Sequence, residues 1–108
     1  MQVLNRQVIK SLVGNEPEII KQFETDFISQ AKQTLQTIKF QFNSGQIVEI
    51  KEEAHFLKTS AKAVGAEQTA ALLQELEESA MGEKKGECKQ LIVNIFHSVQ
   101  EVYKEMQK

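Results

Sequence analysis

Two histidines and one cysteine, His55, His97 and Cys88, are the side chains in this sequence best suited to chemistry beyond charge pairing. A neutral imidazole carries a nitrogen lone pair near pH 7 and can act as nucleophile, proton carrier or metal ligand. His55 is set apart by its neighbours. On a helix turning about 100° per residue, Ile47, Ile50, Ala54, Leu57, Ala61 and Val64 share one stripe, which must face a core. His55 lies off that stripe, with Lys58 and Lys62 three and seven positions on and Lys51 four positions back. The spacing predicts a ring set among cations on a solvent-facing strip. Thr59 and Ala63, its outward neighbours one and two turns on, are short enough for a large partner to approach the imidazole.

The other candidates read more plainly. His97 lies off the apolar stripe of its own segment without clustered cations, as an ordinary surface histidine does. Cys88 has no second cysteine to pair with, which fits a reducing compartment and a thiol used as small apolar filler. Glu52-Glu53-Ala54-His55 matches one Glu-x-x-His element of carboxylate-bridged di-metal bundles. Such centres need a second element projecting inward; His97 has Asn94 three residues before it, and Glu52 and His55 both fall on the polar side. There is no zinc-ligand spacing, glycine-rich phosphate loop, Walker lysine or G-x-S-x-G elbow. ATP hydrolysis, serine esterase chemistry and a resident metal are therefore unsupported.

The elements that must position His55 follow from periodicity. The 108 residues suit one domain spanning 1–108, and a net charge of -2 offers no general attraction to nucleic acid or anionic lipid. No charged-then-apolar leader and no apolar run approaching membrane-spanning length is present, so no direct membrane contact is expected. A short helix over about 3–13, closed by Gly14, is expected to lie across one end. A long helix over about 16–42 follows, with Asn15 as cap, Pro17 early and Glu18 as capping acid. Its stripe comprises Ile19, Ile20, Phe23, Phe27, Ala31, Leu35, Ile38 and Phe42. The break at Asn43-Ser44-Gly45 leads to the His55 helix over about 46–64, which Gly65 ends in the left-handed conformation. Ala70, Leu73, Leu76 and Ala80 define the inner face of a helix over about 66–81, with Leu72 at its edge. A final helix over about 86–107 is expected to bury Cys88, Leu91, Ile92, Ile95, Phe96, Val99, Val102, Tyr103 and Met106. Nothing alternates with the period of a strand. The expected fold is all-α: an antiparallel up-down-up-down four-helix bundle with a short additional N-terminal helix as a lid.

Ala54-His55-Phe56-Leu57-Lys58-Thr59-Ser60-Ala61, running on to Val64-Gly65-Ala66, resembles the signature of the histidine-containing phosphotransfer (HPt) domain. That pattern reads A-H-x-L-K-G-S, then a small residue and later G-A. Phe27 upstream, the small-residue turn before the histidine helix, and Leu73, Leu76, Glu77 and Ala80 downstream are similar to the family layout, so the resemblance covers nearly the whole chain.

The resemblance implies a phosphorelay shuttle without kinase catalytic motifs or an ATP site. His55 would accept a phosphoryl group from a receiver-domain aspartate and pass it to another. Lys58 would be the cation nearest the transferred group, Ser60 a supporting polar residue and Gly65 the helix terminator. Lys62 and Lys51 are further candidates for meeting phosphoryl charge. Phe56, with Thr59 and Ala63 beside it, would take part in docking. The implied partners are receiver domains of response regulators and of a hybrid histidine kinase, with magnesium held by the receiver and no cofactor in this chain. A monomer is expected, in the cytoplasm or as the cytoplasmic part of a membrane-bound hybrid kinase. Two departures stand out: Thr59 replaces the family's usual glycine, and Glu77 stands where some members carry a glutamine that orients the ring. Glu77 has three readings, as a partner of Lys58, as a hydrogen-bond partner of the ring, or as an ordinary boundary carboxylate. The alternative function is a helical adaptor that docks onto signalling partners without carrying phosphate.

Overall fold

The computed structural model describes residues 1–108, and every regular element in it is helical. In chain order these are α1 (Arg6–Val13), α2 (Pro17–Asn43), α3 (Ile50–Val64), α4 (Glu67–Met81) and α5 (Lys85–Met106). Close backbone contacts run α2 to α3, α3 to α4, α4 to α5 and α5 back to α2, and the diagonal pairs stand further apart. That closed order is the antiparallel four-helix bundle expected from short connections. Its core joins Phe27, Leu35 and Ile38 of α2, Leu57 and Ala61 of α3, Leu73 and Leu76 of α4, and Cys88, Ile95 and Val102 of α5. Burial pushes the Cys88 thiol up from its ordinary value, consistent with a filler and not a reactive group.

Helix length explains where the apolar pattern misleads. At about 1.5 Å per residue α2 and α5 run about 40 and 33 Å, while α3 and α4 reach only about 22 Å. The turns at Ser44–Glu49 and Gly82–Lys84 align all four helices at one end, so the long pair overhangs the short pair at the other. The first turns of α2 therefore leave the core, and Ile19 and Phe23, expected to be buried, are each 44% exposed. Phe96 and Tyr103 also turn outward, because Ile92, Ile95, Val99 and Val102 fill the inner face of α5.

Several helix boundaries differ from the periodic pattern for identifiable reasons. Residues 47–49 form turns closed by the Ile50, Lys51 and Glu52 amides on the Ile47, Val48 and Glu49 carbonyls, so α3 begins at Ile50 and not near 46. Pro17 occupies the first turn of α2, placing the cap at Glu16 without a side-chain bond, so Asn15 does not cap. The side-chain cap is made instead by Asn5, whose Oδ1 accepts from the Gln7 amide at 3.2 Å and starts α1.

Helix α1 fills part of the step left by the short helices and pins the turn between them. Gly65 ends α3 at φ 85°, ψ 17°, the left-handed conformation that glycine adopts without steric cost. The Asn5 amide donates to the Gly65 carbonyl at 2.7 Å, and a Cβ at Gly65 would overlap the Asn5 carbonyl. Glu67, in the first turn of α4, accepts from Asn5 Nδ2 at 3.0 Å and from the Gln2 amide at 2.9 Å. These donors, Asn5 foremost, hold the Glu67 carboxyl below its ordinary value.

Candidate functional site

His55 sits on α3 opposite Leu57 and Ala61, which are fully buried; its own side chain is 61% exposed. Its Nδ1 lies 3.2 Å from Oε1 of Glu77 on α4, and the other Glu77 oxygen accepts from Lys58 Nζ at 2.8 Å. Lys58 Nζ also donates to Gln74 Oε1 at 2.6 Å, and Gln74 Nε2 donates to Glu78 Oε2 at 3.3 Å. Two α3 side chains are thus tied to one α4 carboxylate, and Lys58 is tied directly to Gln74 as well.

The placement of Lys58 corrects the picture of three lysines on one exposed strip. Lys58 is only 8% exposed. On the helical wheel it stands about 60° from His55 and about 80° from the centre of the core stripe, which puts it at the seam with α4. There the stem is covered and the ammonium finds Gln74 and Glu77, as a buried charge must. Lys51 is partly exposed and lies 3.8 Å from Glu52, whereas Lys62 remains exposed. On the ring's own helix two carboxylates share its surroundings: Glu52 and Glu53 line a shallow recess with His55, Phe56, Thr59 and Ser60. The ring is therefore not encircled by ammonium groups.

Glu77 meets two of its three readings at once, bonding to the ring and to Lys58. The Lys58 hydrogen bond, offset in part by burial and aided by His55, holds the Glu77 carboxyl below its ordinary value. An ionised carboxylate only accepts, so a neutral His55 must carry its proton on Nδ1. The lone pair then resides on Nε2, and the bond at Nδ1 fixes the orientation of the ring. The arrangement offers an anchored nitrogen nucleophile to anything docking on this face.

The remaining residues fall around that nitrogen. Phe56 is 62% exposed and Thr59 is exposed, its Oγ1 donating to the His55 carbonyl at 3.2 Å; Ala63 and Ser60 are half-buried. His97 is exposed on α5, the helix diagonal to α3 in the bundle. Glu52 and His55 both face outward, and no three metal-ligating side chains converge anywhere in the chain. Gln74, the glutamine one turn before Glu77, bonds Lys58 and not the ring. Its signal was spacing: three residues before Glu77, it shares the α4 face toward Lys58.

Residues 22–107 match the family model for the Hpt domain. The chain belongs to the Hpt family. It is also similar to the crystal structure of histidine-containing phosphotransfer protein B (HptB) from Pseudomonas aeruginosa PAO1, with a TM-score of 0.89 and 21% identity, covering 97% of this chain and 91% of that one. At that identity the likeness speaks for the fold. No curated protein matches the chain in sequence. The Hpt domain is a helical bundle that serves histidine phosphotransfer in phosphorelays, as a phosphocarrier intermediate and not as a kinase, and it interacts with receiver domains. No helix here is long and apolar enough to cross a membrane.

Proposed function

We propose that His55 is the phosphorylated residue of this Hpt domain and that Nε2 is its nucleophilic atom. The observation that carries this is the exposed ring held through Nδ1 by Glu77, which leaves Nε2 unprotonated and directed away from the anchor. In the forward step the Nε2 lone pair forms a bond to phosphorus while the bond to the receiver aspartate breaks, its electron pair leaving on the carboxylate. In the return step a second aspartate attacks phosphorus and the N–P electron pair goes back to Nε2. Glu77 offsets the positive charge that the ring acquires between the two steps, and no proton leaves Nδ1. Lys58 acts through Glu77 in this arrangement, keeping the carboxylate ionised and in place. Lys62 is the exposed cation on the His55 side of α3, available to the incoming phosphoryl oxygens.

The partner docks over Phe56, Thr59 and Ala63, with Ser60 at the edge. Magnesium belongs to the receiver, where it would neutralise phosphoryl charge, and this chain needs neither a cofactor nor an ATP site. The domain acts as a monomer in the cytoplasm, shuttling between the receiver of a hybrid histidine kinase and that of a response regulator. The test is phosphoryl uptake from a phosphorylated receiver. Wild-type protein is expected to gain an acid-labile, base-stable phosphate, and His55→Gln to fold normally and gain none. Labelling of the variant would refute the assignment.

A further inference from the structure

The overhang of α2 and α5 beyond the short helices leaves a cleft of about 640 Å³ that α1 closes at one side only, larger than the recess beside His55 at about 390 Å³. Arg6, Lys10, Lys21 and Lys32 line it, with Glu24 as the single acid. Glu24 is 6% exposed and lies 3.6 Å from Arg6 Nε, so its charge is already matched within the protein. Four of the thirteen basic side chains but one of the fifteen acidic ones are here, which leaves the rest of the chain with nine basic against fourteen acidic. A positive cleft in an otherwise acidic protein selects a short anionic partner and repels a long polyanion such as nucleic acid.

We infer that this cleft is a docking groove for an acidic peptide segment of a partner protein, one that carries an apolar residue between its carboxylates. Lys21 and Lys32 are eleven residues apart on α2, about 16 Å along the axis, with Thr25 and Ile28 between them on the same stripe. One carboxylate or phosphate meets both lysines only if both stems stretch fully toward each other, whereas about five extended residues at roughly 3.3 Å each span the distance with the stems unstrained. Met106 and the half-exposed Tyr103 supply an apolar middle above Ile28, which is itself buried in the core, with tyrosine a favoured anchor at interfaces. The cleft is open along one side, which suits a chain segment better than a small molecule that a pocket would largely enclose. It lies between α2 and α5, and His55 lies on the face between α3 and α4, so both faces can be occupied together.

Fluorescence anisotropy with a labelled nonapeptide, a central leucine flanked by glutamates, tests this. Saturable binding is expected, weakened about tenfold by raising salt from roughly 50 to 500 mM. Lys21→Glu combined with Lys32→Glu is expected to weaken it at least about tenfold, with an unchanged far-ultraviolet circular dichroism spectrum, and serine in place of the central leucine several-fold. His55→Gln is expected to bind as wild type does, which separates this groove from the phosphotransfer reading. Non-saturable binding, equal affinity in the double lysine variant, or equal displacement by inorganic phosphate or by an oligonucleotide of the same charge would overturn the inference.

Discussion

Replacing Glu77 by glutamine keeps the shape of the anchor and removes its charge. The carboxylate offers one oxygen to His55 Nδ1 and the other to Lys58 Nζ. The amide has one acceptor, which serves either Lys58 or the Nδ1 proton, while its NH2 can meet Nδ1 only in the opposite tautomer. The Lys58 ion pair is therefore lost and the ring tautomer is no longer fixed. Lys58 and Glu77 side chains are 10% and 17% exposed, so solvent screens the pair only partly, and the loss is expected to be about 1–2 kcal/mol at pH 7. For a domain of this size that lowers Tm by about 4–8 °C per kcal/mol. The pH dependence carries the sign. Glu77 titrates below its ordinary value of 4.5 in the folded protein, so its contribution is complete above the ordinary carboxylate range and is lost as pH falls through the folded value. Urea denaturation of wild type and Glu77→Gln is expected to differ by the full amount at pH 7 and to converge as pH falls below the ordinary carboxylate range and through the lowered folded value. Nitrogen-proton correlation spectra of the ring are expected to show the proton on Nδ1 in wild type and both tautomers in the variant. A stability difference that stays constant with pH, or a wild-type ring protonated on Nε2, would refute the reasoning.

Gly65→Ala is expected to destabilise the protein by about 2 kcal/mol or more, since alanine resists positive φ and its Cβ would overlap the Asn5 carbonyl. Hydrogen exchange at the Asn5 amide, read beside urea denaturation, should show that bond to Gly65 opening first. Phe56→Ala removes an exposed ring, so stability should stay within about 0.5 kcal/mol while receiver affinity, measured by titration calorimetry, drops. Thr59→Gly restores the family's residue beside the imidazole; it should cost up to about 1 kcal/mol of helix stability and raise the rate of receiver-to-His55 transfer in a rapid-mixing assay. An unchanged rate would show that Thr59 does not obstruct docking.

The helical period alone carried much of this. Leu57, Ala61 and Val64 could face only one way, which fixed His55 on the opposite side, and Gly65 marked the end of α3 because a left-handed residue was needed there. What one helix cannot encode is what stands against its seams. Lys58 lies between the inner and outer faces of α3, and only the presence of Gln74 and Glu77 across the seam decides that its ammonium turns inward. Phe23 and Tyr103 fit apolar stripes as well as Phe27 and Val102 do, but the short helices stop before reaching Phe23, and α5 needs only one inner face. Glu24 and Thr34 look like surface residues by type, yet both are 6% exposed, Glu24 because Arg6 reaches over it from α1.

An exposed imidazole on one helix would sample several rotamers, and in-line transfer tolerates little misplacement of the attacking nitrogen. A bond to a residue on the same helix would move with that helix and leave the ring free relative to the rest of the docking face. Glu77 removes this freedom because it comes from α4, so the ring is held only when α3 and α4 keep their register. That register is fixed at the other end of the pair by the tight turn at Gly65, where Asn5 closes on the Gly65 carbonyl and Glu67 gathers Asn5 and Gln2. The side chains that end one helix and begin the next, and those that present the imidazole, therefore belong to one mechanical constraint. A change at the turn that lets α4 slide along α3 must loosen the His55 anchor without touching any atom of the site.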